Sequence, residues 1–181
     1  MTLQAAGAKP CRVCGGTFEP FNSTQIVCGI RCARRVPVLA RKAEKEDRKA
    51  TRARLDALRP LSYWMKQAQV AFNAWVRQRD AHLPCISCSR HHVGSWDAGH
   101  YLTVGARPEL RFDEANVHRQ CVPCNQHLHG NLVLFRLGLI ARLGQAAVDR
   151  LEGPHVPKQY RADDLKAIRD DYRARARALQ C

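Results

Sequence analysis

The chain has 181 residues, only 7% of them aromatic, and its 30 Lys and Arg against 16 Asp and Glu give a formal charge of +14. That length suits one ordinary domain or two small ones, yet the composition argues against a single large apolar core and favours polyanionic partners, nucleic acid above all. A membrane role is not expected, because the most apolar stretch, Leu132 to Leu143, is interrupted by Arg136 and Arg142 and falls short of the ~20 residues a spanning helix needs. Met1 to Gly7 shows no basic flank followed by an apolar run, so no export signal is expected and the cytoplasm is the expected compartment.

Eight of the nine cysteines fall into four close pairs, Cys11/Cys14, Cys28/Cys32, Cys85/Cys88 and Cys121/Cys124, with Cys181 left over. A two-residue gap lets two thiolates on one turn grip a metal, and two such knuckles complete the four-sulfur shell that zinc prefers. Sequence proximity predicts one structural Zn²⁺ on Cys11, Cys14, Cys28 and Cys32 and a second on Cys85, Cys88, Cys121 and Cys124. Each ion would supply folding energy that a thin core lacks. Disulfides or a redox-active CxxC pair are the competing readings of the same spacings.

The first module occupies about residues 8–33, with Gly15-Gly16 as the tight turn and Asn22-Ser23-Thr24 as a polar loop. From Arg31 to Arg59 the chain carries eleven basic and four acidic residues, half of the net charge. Helix-forming residues dominate there without a continuous apolar stripe, which predicts an exposed basic helix. Arg34, Arg35, Arg41, Lys42, Lys45, Arg48 and Lys49 are its candidate phosphate contacts; a plain solvated linker has the same composition. Beyond Pro60, Leu61, Trp64, Met65, Ala68, Ala71, Phe72, Trp75 and Val76 recur at three- and four-residue steps, predicting an amphipathic helix to about Asp80 whose aromatics are core. A second basic packing helix is predicted from about Asp163 to Leu179, with Leu165, Ile168, Tyr172 and Leu179 inward.

Between and just after the second set of knuckles lies a polar cluster that structural zinc does not explain: Asp97, His100, Asn116 and His118, then Asn125, His127 and His129. If a short strand covers Asp97 to Leu102 and a helix opens near Cys124, Asn125 and His129 face the same way and can hold a cation between them. His100 across from them is placed to take a proton from water, and the Asn116 amide oxygen to orient that imidazole. His82, His91, His92, His118 and His155 read as surface or hydrogen-bonded residues.

The series His100, Asn116, Asn125, His129, interlocked with two CxxC knuckles, resembles the HNH, or ββα-metal, nuclease motif. The resemblance implies a general-base His100, an ion-binding Asn125 and His129, and a catalytic Mg²⁺ or Mn²⁺ distinct from the zincs. Many members place a metal-binding Asp or His directly before the base. Here that position is Gly99, and Asp97 is the substitute ligand, with His127 the alternative to His129. The opening Lys9-Pro10-Cys11-Arg12-Val13-Cys14, the block Trp96 to Tyr101 and the run Arg111 to Asn131 are similar to the lambdoid phage NinG (Rap) recombination family over nearly the whole chain. That resemblance implies an endonuclease cutting branched recombination intermediates, D-loops and Holliday junctions, in the cytoplasm of the bacterial host.

The expected fold is α+β: a zinc module over residues 1–33, a basic helical arm over 34–60, a zinc-stabilised HNH-like core over 61–151 and a basic helix within 152–181. Branched DNA is the expected partner, with phage or host recombination proteins as further ones. Arg107, Arg111 and Arg119 join the arm as phosphate contacts, and two DNA-binding surfaces, from two modules or a homodimer, would engage separate arms of a junction. A non-catalytic zinc-knuckle adaptor for nucleic acid is the alternative. It explains the charge and the cysteines but not the spacing of Asn116, Asn125 and His129.

Overall fold

The computed structural model describes residues 7–180, so Cys181 and the first six residues, on which the export-signal expectation was read, lie outside the described residues. The chain is mixed α+β and divides after Arg59 into two compact units.

The first unit begins with a two-residue hairpin, β1 (Lys9–Pro10) against β2 (Thr17–Phe18), paired antiparallel. Its turn closes on the first knuckle: the Cys11 amide donates to the Gly16 carbonyl at 2.9 Å and the Gly15 amide to the Cys11 carbonyl at 2.8 Å. The polar loop is an Asx-type turn, in which Asn22 Oδ1 accepts from the amides of Thr24 and Gln25. Helix α1 (Ile30–Ala57) follows and runs through Pro37. Cys32 is its only buried residue. With no apolar face to bury, α1 is held by propensity and by its cysteine anchor, and its basic side chains all stand in solvent.

The second unit is built on α2 (Leu61–Arg79), which Pro60 starts in an extended conformation and which buries Trp64, Ala68, Ala71, Phe72, Trp75 and Val76 on one face. That face meets α5 (Ala162–Ala178), where Tyr172 lies 4.8 Å from the Phe72 ring and 5.0 Å from Trp75. Leu165 is buried between the two helices, whereas Leu179, expected inward, caps α5 and is 54% exposed. The C-terminal helix therefore packs as part of this unit.

Between them in sequence, β3 (Trp96–His100) pairs antiparallel with β4 (Val117–Cys121) in the register Asp97↔Gln120, Gly99↔His118 and His100↔Val117. Alternation turns Ala98 and Val117 toward α2 and α5, and His118 toward Phe135 of α3 (Leu132–Leu143). Phe135 and Leu139 of α3 join Ile86, Tyr101, Leu110 and the α4 residues Val148 and Leu151 (α4, Gln145–Glu152) in a second core. Gly138 lets α3 lie directly on the knuckle, since a Cβ there would stand 2.0 Å from the Ile86 carbonyl oxygen. The sheet is thus sandwiched between two helical layers, each with its own apolar cluster.

The segment after β4 departs from expectation. No α-helix opens at Cys124; Pro123–His127 forms one wide turn, with the Leu128 amide bonded five residues back to the Pro123 carbonyl at 3.0 Å. His129 and Asn131 then take left-handed backbone conformations, φ +50° and +45°, before α3 begins. Gly130 closes the turn by donating to the carbonyls of both Cys124 and Asn125.

Candidate functional site

All eight paired cysteines are free thiols, and they gather as sequence proximity predicts. Cys11, Cys14, Cys28 and Cys32 form one cluster and Cys85, Cys88, Cys121 and Cys124 another, with sulfurs in each within 4.8 Å of one another. Four sulfurs bound to zinc at ~2.3 Å in a tetrahedron lie ~3.8 Å apart. The structure has 3.7 Å for Cys14–Cys28, 3.5 Å for Cys28–Cys32 and 3.9 Å for Cys88–Cys121. Backbone amides point at the sulfurs, Cys28 N to Cys11 Sγ at 3.3 Å and Cys121 N to Cys85 Sγ at 3.4 Å, as suits thiolate acceptors. Amides of Cys14, Val13 and Cys28, with the Cys14 thiol, lower Cys11 to about 6, while its contacts with Cys32, Cys11 and Cys14 push Cys28 up to about 12. Without a cation the set settles on a Cys11 thiolate whose neighbour Cys28 keeps its proton; a divalent ion lets all four thiolates coexist. Both donor sets fit structural Zn²⁺.

The second cluster lies beside a cleft of about 280 Å³. Ala98 and His100 of β3, Thr103 and Val104 of the following loop, Asn125 of the wide turn, and His129, Gly130 and Leu132 line it. His100, Asn125 and His129, expected to act together, therefore share one cavity despite the missing helix. The wide turn and the left-handed His129 bring both residues to the cleft lining without an i,i+4 helical pair. His and Asn tolerate that backbone region better than most residues.

The His100 ring is half-buried, and its Nε2 lies 3.1 Å from the Arg111 carbonyl oxygen. A carbonyl only accepts, so Nε2 carries the proton and Nδ1 keeps the lone pair. Burial lowers the His100 pKa below its ordinary value, against the pull of that carbonyl and with help from the Arg111 charge. The imidazole is neutral and basic at neutral pH.

Asn116 does not orient His100. It is fully buried and ties the loop shut, accepting from the Leu102 amide at 2.9 Å and donating to the Leu102 and Leu110 carbonyls at 3.0 and 3.2 Å. Buried among backbone groups with unmet hydrogen bonds, its amide is consumed there. The orienting partner is the Arg111 carbonyl, which a sequence does not reveal because any residue type supplies it.

Asp97 reaches the site through Asn125. Its Oδ2 accepts from Asn125 Nδ2 and from Gln126 Nε2, each at 2.8 Å. Gln120, not singled out in the sequence, occupies the space beside Gly99: a Cβ on Gly99 would meet Gln120 Oε1 at 2.1 Å. Its Nε2 donates to Ser87 Oγ within the knuckle and to the Gly130 carbonyl beside His129, at 2.7 and 2.6 Å. His127 is exposed and is not among the residues lining the cleft.

Of the three arginines beyond α1 that were expected to contact phosphate, two serve the fold instead. Arg119 lies 3.7 Å over the Trp96 ring and donates to the carbonyls of Asp80, Ala81 and Leu83. Arg107 pairs with Glu109 at 2.6 Å and donates to the Gly153 carbonyl. Their planar forks match backbone carbonyls and carboxylates close by. Arg111 bonds Gln69 of α2 at 3.1 Å and stays beside His100. The α1 residues Arg34, Arg35, Arg41, Lys42, Lys45, Arg48 and Lys49 are all exposed. His118 is buried against Arg79 and Asp80, His155 bonds the Leu151 carbonyl, and His92 sits 3.2 Å from Cys88 Sγ.

The fold and its clusters define a mixed α+β protein with two four-cysteine sites, one of them beside a polar cleft that holds a neutral histidine. The family model described as Bacteriophage Lambda NinG protein matches residues 4–181, and the chain belongs to that family. It is 41% identical to Protein ninG of Escherichia phage lambda, covering 96% of each chain, and 42% identical to Protein ninG of Salmonella phage P22, covering 92% of this chain and 90% of that one. Protein ninG of Escherichia phage 933W is 42% identical over 96% of both. No solved structure matches the chain. Among the described residues no helix is long and apolar enough to cross a membrane.

Proposed function

We propose that this NinG-family protein is a structure-specific DNA endonuclease that hydrolyses phosphodiesters in branched recombination intermediates, D-loops and Holliday junctions, through an HNH-like core. One observation carries the reading: His100, Asn125 and His129 converge on one cleft, with the His100 Nδ1 lone pair uncommitted to any partner among the described residues. With Nε2 held by the Arg111 carbonyl, His100 takes a proton from an attacking water at Nδ1. Asp97 engages the Asn125 Nδ2, so Oδ1 is the atom left to act as a ligand. Asn125 Oδ1 is an oxygen donor suited to Mg²⁺ or Mn²⁺, hard ions that keep several waters of their own, and the His129 imidazole is a nitrogen donor that favours Mn²⁺ over Mg²⁺. When bound, such an ion would polarise the phosphodiester and stabilise the charge that develops on it. The exposed basic face of α1 is proposed to track backbone phosphates.

The test compares wild type with His100→Ala on a labelled four-way junction, a D-loop and a linear duplex, with and without Mg²⁺ or Mn²⁺, scoring binding and cleavage separately. Ion-dependent cleavage of branched DNA, lost in the variant while binding persists, is the expected result. Tight binding without cleavage under every condition would replace the enzyme by a zinc-knuckle adaptor.

A further inference from the structure

The two four-cysteine sites differ in what meets their sulfurs. In the first, Cys14 and Cys28 are exposed, and the sulfurs are met by backbone amides and by one another. In the second, Cys85, Cys121 and Cys124 are buried and Cys88 is half-buried. That half-open sulfur is the one a histidine covers: His92 Nε2 lies 3.2 Å from Cys88 Sγ.

The chain places His92 there by closing the knuckle first. The Ser89 amide donates to the Cys85 carbonyl and the Cys85 amide to the Arg90 carbonyl, each at 3.0 Å, which fixes the backbone to within two residues of His92. The imidazole then stands edge-on to Trp96, with ring centroids 5.8 Å apart at 76°. Trp96 packs on the cysteines, is the cross-strand partner of Cys121, and has the Arg119 guanidinium 3.7 Å over its ring. A further sulfur of the set, Cys124 Sγ, accepts from Asn131 Nδ2 at 3.6 Å.

The four sulfurs lie within 4.8 Å of one another, and His92 stands outside that set. Its nitrogen is therefore placed against a ligand and not among the ligands. Four thiolates on one divalent ion leave negative charge in surplus, and a zinc-bound thiolate only accepts hydrogen bonds, so Nε2 is the nitrogen that carries the proton. Donors of this kind orient a metal ligand and offset part of its charge.

We propose that His92 is a hydrogen-bond donor to the zinc-bound Cys88 thiolate, and that this bond makes the second zinc the slowly exchanging one of the two. The first zinc, with two exposed sulfurs, leaves first. Loss of the second starts at Cys88, its most accessible ligand, and His92 holds that ligand in place.

The experiment follows zinc release from the full-length, zinc-loaded protein into excess chelator, read with a colorimetric indicator. The proteins compared are wild type, His91→Ala, His92→Ala, His92→Gln, His92→Phe and Cys14→Ser. Wild type should release zinc in two steps, and Cys14→Ser should lack the fast one, which assigns that step to the first site. His92→Ala should speed the slow step about tenfold and leave the fast step alone. His92→Gln, which keeps an N–H, should restore most of the slow rate. His92→Phe, which keeps a ring beside Trp96 without an N–H, should behave as His92→Ala does. The exposed neighbour His91 should be replaceable by Ala without effect.

An unchanged slow step in His92→Ala would overturn the proposal, and so would its restoration in His92→Phe, which would leave the ring a packing element. Both zincs leaving wild type in one step would overturn it as well. Replacing zinc by Co²⁺ checks the ligand count: wild type and His92→Ala should both give four-sulfur spectra, whereas a site of three sulfurs and one nitrogen in wild type would make His92 a ligand and refute the donor role. Zinc release is read without DNA, so the outcome is separate from the branched-DNA reading.

Discussion

The carboxylate of Asp97 accepts a 2.8 Å hydrogen bond from Asn125 Nδ2, across 28 residues of chain. Because a carboxylate only accepts, this contact decides which end of the Asn125 amide is presented elsewhere. Asp97 acts on the cleft as a positioning group.

Replacing Asp97 by Asn removes that constraint and lets the Asn125 amide turn over. We expect cleavage to fall roughly 10- to 100-fold, as for other residues that orient a metal ligand. Zinc content, read by elemental analysis, should stay at two per chain, and loss of zinc in this variant would mean that Asp97 serves the knuckle instead.

If His100 is the proposed general base, it carries the pH dependence of cleavage. It must be neutral to accept a proton, and burial holds its pKa below the ordinary value of about 6.5. Cleavage should therefore hold constant as pH drops through 6.5 and decline only below it. His100→Ala should lower the rate about 10²- to 10⁴-fold at any pH. Proton NMR of the His100 ring through the same range provides the independent check; a pKa above 6.5 would contradict the buried, neutral base.

Gly99 is required by a neighbour and not by its backbone. A methyl group there would meet the Gln120 amide, itself fully buried and tied to Ser87 and Gly130. Gly99→Ala should destabilise the protein by about 1–3 kcal/mol in urea unfolding, the usual cost of overpacking. Adding Gln120→Ala should make the Gly99→Ala step nearly free, and a Gly99→Ala cost unchanged in that background would place the clash elsewhere.

Asp80 sets the acid limit of the fold. Burial pushes its carboxyl up, but Arg79, His118 and the Arg119 amide outweigh this and hold it well below the carboxylate range. A carboxyl depressed in the folded state adds stability above its unfolded value near 3.9, and that addition is lost as pH falls through the lower folded value. Asp80→Asn should cost about 3–5 kcal/mol at pH 7, since it leaves the half-buried Arg79 without its carboxylate. The deficit should shrink below pH 4 in urea titrations.

Chelation offers the last check. Stripping zinc should unfold the first unit, whose α1 buries only Cys32, while the α2–α5 layer keeps its aromatic core. Circular dichroism should then show partial loss of helix, and a fully helical apoprotein would show that zinc does not hold α1.

The zinc pairing, the α2 face and the exposed α1 were legible because each depends on local spacing. Two thiols on one turn, an apolar residue every three or four positions, and a charge run without a stripe declare their environment within a few residues. The same spacing singled out His100, Asn125 and His129. It did not assign roles that depend on what lies across the fold. Asn116 is drawn off by the backbone of Leu102 and Leu110, Arg107 and Arg119 by carbonyls near in space but distant in sequence, and the His100 partner is a carbonyl that carries no residue signature. Nor did helical periodicity foresee the turn at Pro123–His127, where closure onto Gly130 overrides local preference. The sequence by itself determined the ligands, the helices and the charge, through chemistry confined to a few neighbouring residues. Tertiary structure alone decided which polar groups are spent on the fold and which are left over, because hydrogen-bond accounting closes only when every buried donor and acceptor is in place.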